Sequence, residues 1–168
     1  PGRVLEERIK SGLGVNEQLA AWFDKSILPL ILERLSGPDK LDEALAEFKF
    51  FFENPIYEAG LLIWKDATGQ EIRGSLEEAK KIILNFKSDI SKTEIEKQFI
   101  ETIGERSKGT MLWPLRVALS GLKASPGPFD IIAAFSSLSA STSTEKGSAG
   151  KQIILKRLDS AIAKLENI

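Results

Sequence analysis

Residues 18–35 have the sequence QLAAWFDKSILPLILERL, in which the apolar positions recur at helical spacing. The apolar side chains on the predicted face are Leu19, Trp22, Phe23, Ile27, Leu30 and Ile31. Such a spacing places these side chains on one face of a helix. Because proline has no backbone N–H to donate, Pro29 predicts a kink in this helix or its division into two. This stretch favours an all-α fold.

Cap and turn residues predict further helices after this stretch. The residues Ser36–Asp39 are expected to end the first helix and to start a second one, with Asp39 as its N-cap. Two capping-box patterns, Ser75–Glu78 and Ser91–Glu94, each predict a helix start because the serine oxygen and the glutamate satisfy unpaired amides there. The helices of this group are predicted over about residues 40–54, 75–86 and 91–103.

The C-terminal third predicts three more helices. They are expected over residues 111–119, with Pro114 in the first turn and Gly121 after the end, and over 129–138 and 151–165. Residues 139–150 are rich in Ser, Thr, Ala and Gly, which predicts a mobile loop.

The segment between residues 57 and 73 has a weak pattern. We favour a helix over 61–64 followed by a turn at 66–69. Together the predicted helices form two consecutive helical bundles, with a first domain at 1–87 and a second at 88–168.

The composition excludes several classes of function. The 168 residues are 42% apolar and 28% charged with a net charge of −1, values typical of a folded chain of one domain or two small ones. No cysteine and no histidine occurs, which excludes disulfides, thiol nucleophiles, Ser–His triads and nearly all transition-metal sites. The chain starts at Pro1, so we expect a processed chain or a piece of a longer protein. What remains is carboxylate or lysine chemistry, or a domain that binds.

The common motifs of small-molecule chemistry are also missing. Neither the G-x-x-x-x-G-K-[ST] pattern nor the G-x-G-x-x-G pattern of phosphate-binding loops occurs. Residues 147–152 have the wrong spacing for such a loop. Pairs of adjacent acidic residues lie near predicted helix starts, where carboxylates interact favourably with the helix dipole. We expect them to stay solvated and not to form a catalytic pair. No apolar run approaches the roughly 20 residues of a membrane-spanning helix, and no signal peptide is evident.

The charges are distributed unevenly. Residues 1–87 contain 12 Lys and Arg against 15 Asp and Glu, whereas residues 88–168 contain 11 against 9. Between Arg106 and Phe129 the chain has four cationic side chains, two bends that contain proline, and no Asp or Glu. Cations beside planar and hydrogen-bonding groups are suited to binding unstacked single-stranded bases. The alternative is a mildly basic surface with the aromatic residues Trp113 and Phe129 in the core.

Two neighbouring stretches point to a family. Residues 108–121 have the sequence KGTMLWPLRVALSG, and residues 125–130 have SPGPFD. Together they closely resemble the C-terminal anticodon-binding region of bacterial-type glutamyl-tRNA synthetases, which has a K-G-x-x-x-x-P-L-R-x-A-L-[ST]-G run. Residues 151–163 are similar to the terminal helix of that family, and residues 31–35 and 41–52 are similar to its preceding helical domain. The resemblance implies an all-α fold of two helical anticodon-binding domains.

The resemblance also implies a function. The family attaches glutamate to its tRNA with ATP and Mg²⁺ in a catalytic domain, whose motifs are not in this sequence. We therefore expect a non-catalytic, cofactor-free fragment of a bacterial, cytoplasmic ligase. Its expected partner is the anticodon stem-loop of glutamate tRNA, and we expect a monomer that binds neither DNA nor membranes.

The resemblance assigns roles to individual residues. Arg116 matches the family arginine that contacts the anticodon bases, and Ser125 and Pro126 match the loop contacts beside it. Pro128 stands where relatives often have Leu, which implies an apolar base contact, and Arg34 resembles an arginine that helps to distinguish the third anticodon base. The residues expected to contact the tRNA backbone are Lys108, Lys123, Lys151 and Arg157. Residues 139–150 are interpreted as a surface insertion relative to the family.

A different class of function stays open at this point. A helical module could bind another protein without any RNA, with the phenylalanines between Phe48 and Phe52 as an apolar groove. The simpler interpretation of this stripe is packing between the two predicted bundles.

Overall fold

The computed structural model of the chain describes residues 2–138 and 149–168, and these residues form helices without any β-strand. The all-α prediction is therefore confirmed. The chain divides into two compact units. The first comprises the residues up to Asn54 together with Ala124–Pro126, and the second comprises Pro55–Lys123 and the residues from Gly127 onward.

This division differs from the boundary predicted near residue 87. The helix α5 (Gly69–Leu84) packs most extensively against α9 (Ala149–Leu165) and α7 (Lys108–Ser120). Because these partners lie far along the sequence, α5 belongs to the second unit, and the boundary falls between Asn54 and Pro55.

The first unit consists of short helical segments. They are α1 (Gly2–Leu13), α2 (Glu17–Trp22), a π-helical turn (Phe23–Ile27), α3 (Leu28–Arg34), a 3₁₀ turn (Pro38–Lys40), α4 (Leu41–Ala46) and a second 3₁₀ turn (Lys49–Phe51). The division predicted at Pro29 is confirmed. The N–H of Leu28 donates to the carbonyl of Phe23, five residues back, so a π-turn separates α2 from α3 just before the proline.

The predicted N-cap at Asp39 is wrong. Asp39 lies inside the 3₁₀ turn, and α4 begins after Lys40 without any side-chain cap. Pro38 supplies the preset backbone angle that starts this turn, so the chain enters α4 through a tighter helix.

The phenylalanine stripe forms part of the core of the first unit. Phe48, Phe50 and Phe51 are buried, and the ring of Trp22 makes edge contacts with Phe51 at 6.3 Å and with Phe52 at 6.0 Å between ring centroids. Aromatic edge contacts of this kind stabilise a core beyond their buried area. The stripe is therefore core and does not offer the exposed groove that a protein-binding module would need.

The second unit contains longer helices around α5. They are a 3₁₀ turn (Ala59–Leu62), α5, α6 (Lys92–Ile103), α7, α8 (Pro128–Ser136) and α9. The helix predicted over 61–64 is replaced by the 3₁₀ turn, which ends at Leu62.

One predicted capping box is confirmed as a helix start and the other is wrong. The oxygen of Ser91 accepts from the N–H of Glu94 at 3.2 Å and caps α6. The first box lies instead at Thr68, whose oxygen accepts from the N–H of Glu71 while the Glu71 carboxylate accepts from the N–H of Thr68. Ser75 has the same spacing but is buried inside α5, because the helix continues through its neighbours.

The remaining helices differ from the predictions at their ends. The helix α7 begins at Lys108, so Pro114 lies in its interior and not in its first turn. Its end at Gly121 is confirmed, since this residue has the left-handed φ of 72° that glycine adopts readily. The helix α9 begins at Ala149, within the predicted loop, and residues 139–148 of that loop lie outside the described residues.

Candidate functional site

The predicted site residues are distributed over both units. Arg34 belongs to the first unit, as do Ser125 and Pro126 of the connection between α7 and α8. The second unit holds the others, which are Lys108, Arg116, Lys123, Pro128, Lys151 and Arg157.

The N-terminal half of α7 is fixed by two tryptophans. The indole N–H of Trp113 donates to the carbonyl of Leu61 at 2.9 Å, and its ring lies 5.5 Å from that of Trp64. A side chain on Gly109 would clash with the Trp64 indole, because its Cβ would lie 2.2 Å from two ring atoms. Gly109 therefore allows α7 to approach this segment closely. The sequence contains no signal for the role of Trp64, because the contact joins residues 45 positions apart.

Arg116 lies on α7 one turn after Trp113 and is half-buried. Its Nε is buried without a hydrogen-bond partner, and among the described residues its guanidinium forms no ion pair. An arginine that no carboxylate neutralises keeps its positive charge for a ligand that offers acceptors. The planar guanidinium is suited to a base edge or a phosphate.

Arg157 holds the C-terminal turn of α7. It is 7% exposed, and its Nη1 donates to the carbonyl of Leu119 at 2.6 Å while the guanidinium lies 5.0 Å from the centre of the Phe135 ring. Burial lowers the pKa of Arg157 to about 10, and the neighbouring Tyr57 opposes this shift. Because so little of Arg157 is exposed, a contact with the tRNA backbone is not favoured, and we assign Arg157 a structural role.

Tyr57 packs at the same end of α7. Its Cδ1 lies 3.4 Å from the position that a Cβ on Gly121 would occupy. Burial raises the pKa of Tyr57 to about 12, and the positive charge of Arg157 opposes the rise. Sequence reasoning missed this residue, because nothing near it in the chain indicates burial of its hydroxyl.

The other predicted backbone contacts divide into two kinds. Lys108 and Lys123 are exposed, as a contact with a phosphate requires. Lys151 is half-buried, and its ammonium donates to the carbonyls of Leu84 at 2.7 Å and Phe86 at 3.0 Å. It therefore caps the C-terminal end of α5, where a cation interacts favourably with the helix dipole.

The predicted loop contacts are buried. The hydroxyl of Ser125 donates to the carbonyl of Pro126 at 2.8 Å, and Ser125, Pro126 and Pro128 all have buried side chains. Pro128 begins α8 in the position that its preset backbone angle favours. These three residues shape the backbone of the loop.

Arg34 is already paired in the first unit. Its Nε and Nη2 both lie 2.7 Å from the same carboxylate oxygen of Glu47. The pair lines an open groove of about 290 Å³, together with Ser36, Lys40, Glu43 and Ala44. A base read by Arg34 would share this guanidinium with the carboxylate.

The described residues offer neither a metal-binding cluster nor a membrane-spanning helix. Residues 2–138 and 149–168 contain no group of three or more Asp or Glu side chains placed to hold a metal ion. Within the same ranges, none of the helices is long and apolar enough to cross a membrane.

One family model and one curated relative are similar to this chain. A family model described as an anticodon binding domain matches residues 8–138. The chain is 34% identical to the glutamate–tRNA ligase of Clostridium kluyveri over 145 residues, which are 83% of this chain and 26% of that protein. The chain thus spans about a quarter of the length of this curated relative. No solved structure matches the chain.

Proposed function

Because the chain belongs to the anticodon binding domain family, we propose that it recognises the anticodon of a tRNA as part of a glutamate–tRNA ligase. The observation that carries the proposal is the family match over residues 8–138, which includes Arg34 and Arg116. The name of the Clostridium kluyveri relative supports glutamate tRNA as the partner.

In this proposal Arg116 makes the direct contact with the anticodon. Single-stranded RNA exposes the hydrogen-bonding edges of its unstacked bases. The guanidinium of Arg116 forms no ion pair among the described residues and, as a planar group, can donate to such an edge with two N–H groups at once. Ser125, Pro126 and Pro128 shape the loop between α7 and α8. Arg34 contributes to the recognition of the third anticodon base, and Glu47 orients the Arg34 guanidinium.

The sequence-independent part of the affinity comes from exposed cations. In this proposal the exposed Lys108 and Lys123 neutralise backbone phosphates, which strengthens binding to any RNA and makes the affinity depend on salt. Lys151 is half-buried and contributes through the stability of α5.

The chemical step is proposed to take place outside this chain. The described residues offer no cluster suited to a metal ion, and the sequence has no nucleotide-binding motif. We assign ATP and Mg²⁺ to a catalytic domain of the parent ligase. The chain itself acts as a monomeric, non-catalytic, cytoplasmic module that binds tRNA and neither DNA nor a membrane.

The experiment that tests the proposal compares two RNAs. We expect the chain to bind the anticodon stem-loop of glutamate tRNA more tightly than a copy with an altered anticodon. The variant Arg116→Ala should lose about 1–3 kcal/mol of binding free energy for the native loop and most of the discrimination between the two RNAs. Fluorescence anisotropy at two salt concentrations measures both affinities.

A matched control separates loss of one positive charge from loss of base recognition. Arg73 is an exposed arginine of the same unit, on α5, so Arg73→Ala removes the same charge away from α7. Equal binding of both RNAs by the unmodified chain, or equal effects of the two substitutions, would contradict the proposal. A chain that binds neither RNA would contradict it as well.

A further inference from the structure

The second unit has a small cavity at the N-terminal end of α7, away from Arg116. Its volume is about 100 Å³, and it is lined by residues from α5, the end of α6, the connection that follows α6 and the first turn of α7. The lining residues are Ser75, Ile103, Arg106, Ser107, Thr110 and Met111.

Three hydroxyls on the wall of this cavity have no hydrogen-bond partner among the described residues. Ser75 is only 9% exposed, and neither it nor Ser107 or Thr110 donates to another group of the chain. Hydroxyls elsewhere in these helices do find partners. Thr102 donates to the carbonyl of Gln98 at 2.9 Å, for example. Ser107 is exposed and Thr110 is half-buried, so their hydroxyls, together with that of Ser75, can donate to a ligand with several acceptors.

The first turn of α7 adds backbone donors to the same place. Ser107 occupies the N-cap position without making a side-chain cap, and the N–H groups of Lys108, Gly109 and Thr110 have no backbone acceptor in the part of the chain that the structure describes. Unpaired N–H groups and the positive end of the helix dipole both favour an anion.

A fixed cation completes the wall. The guanidinium of Arg106 donates to the carbonyls of Ile103 and Thr102, and its Nη1 binds both carboxylate oxygens of Glu78, at 3.2 and 3.0 Å. Glu78 neutralises part of this charge, so the hydroxyls, the amides and the exposed Lys108 supply the remaining attraction.

We propose that this cavity binds a phosphate group. A phosphate presents several acceptor oxygens and a negative charge, which match hydroxyl and amide donors beside cations, whereas a metal ion would be repelled by the same set. The source of the group is proposed to be the tRNA backbone, a step that rests on the proposed function. A free phosphate compound has the same chemistry and is distinguished below.

The site itself is tested with inorganic phosphate and the whole chain. We expect saturable shifts of the backbone amide signals of Gly109 and Thr110 in NMR spectra as phosphate is added. Ser75→Ala and Thr110→Val should each weaken this binding by about tenfold, because each removes a donor to a charged oxygen. Neither hydroxyl has a partner in the chain, so both variants should stay folded.

The matched control is Thr102→Val, which removes a hydroxyl of α6 that is not on the cavity wall. It should leave the phosphate affinity unchanged. Absence of saturable shifts, or shifts that the three variants alter equally, would overturn the site.

A competition experiment identifies the source of the phosphate. The anticodon stem-loop should displace inorganic phosphate from Gly109 and Thr110, and Thr110→Val should weaken binding of native and altered stem-loops to the same extent. Phosphate that stays bound under saturating RNA would overturn the tRNA backbone as the source and assign a free phosphate compound. A chain that binds phosphate but no RNA would overturn the proposed function and leave the phosphate site standing.

Discussion

The two ends of α7 differ in how their polar groups are satisfied. At the C-terminal end, the Ser120 hydroxyl donates to the carbonyl of Arg116 at 2.8 Å and Arg157 donates to the carbonyl of Leu119. Gly121 ends the helix in the left-handed conformation and its N–H donates to the carbonyl of Val117, so the carbonyls of Val117 and Leu119 both have partners.

The N-terminal end has no such closure. Ser107 makes no side-chain cap, and the first amides of α7 have no backbone acceptor among the described residues. The C-terminal end of the helix therefore contributes to the stability of the unit, whereas the donors at the N-terminal end are the ones we propose for a ligand. Arg116 lies between the two ends, and its carbonyl accepts from the Ser120 hydroxyl at the C-terminal end.

The largest effect on stability is expected at Arg157. Arg157→Ala leaves the buried carbonyl of Leu119 without its donor, which should lower the free energy of unfolding by roughly 1–3 kcal/mol, and lost packing on Phe135 adds to this. Urea denaturation followed by circular dichroism measures the change. The adjacent Lys156 is exposed, so Lys156→Ala is the matched control and should change stability little. Similar stability of the two variants would show that the C-terminal end of α7 does not depend on Arg157.

Local sequence patterns predicted the end of α7 better than its surroundings. Gly121 was identifiable because a glycine after an apolar helical run is a local signal. The start of α5 was placed wrongly at Ser75, because Thr68–Glu71 has the same spacing and only packing decides between two such patterns. The contact of Trp64 with Gly109 was not predictable, since it joins segments that are distant in the chain.

The site residues show the same limit. The resemblance assigns Arg116 to the anticodon bases, and Arg157 is expected to contact the tRNA backbone. Only tertiary packing distinguishes the half-buried Arg116 from Arg157, which is buried against Leu119 and Phe135. The domain boundary at residue 54 likewise follows from the packing of α5 on α7 and α9.

A pH titration tests the burial at the C-terminal end of α7 through Tyr57, the single tyrosine of the chain. Its pKa is raised to about 12 in the folded chain from 10.0, so the hydroxyl ionises later when folded than when unfolded. As the pH rises above 10, the unfolded state loses this proton first and the folded state loses stability relative to a Tyr57→Phe variant. The difference should grow up to about pH 12 and then stay constant.

The tyrosinate absorbance of the folded chain measures the same shift directly. Because Tyr57 is the single tyrosine, the signal belongs to this residue. A midpoint near 10 in the folded chain, equal to that in urea, would show that the hydroxyl at the C-terminal end of α7 is not buried.

The smallest effect on the free energy of unfolding is expected for a substitution of Ser107. Comparing it with Ser91 distinguishes a helix start that a side chain caps from one without such a cap. Ser91 caps α6 through the N–H of Glu94, so Ser91→Ala should cost about 1 kcal/mol of stability. Ser107 makes no such bond, so Ser107→Ala should change the free energy of unfolding in phosphate-free buffer by less than about 0.5 kcal/mol. Thermal and urea unfolding of the two variants measure the difference. A loss at Ser107 as large as that at Ser91 would mean that its hydroxyl caps α7 in solution, and the donors at this end would then be engaged within the chain and not kept for a ligand.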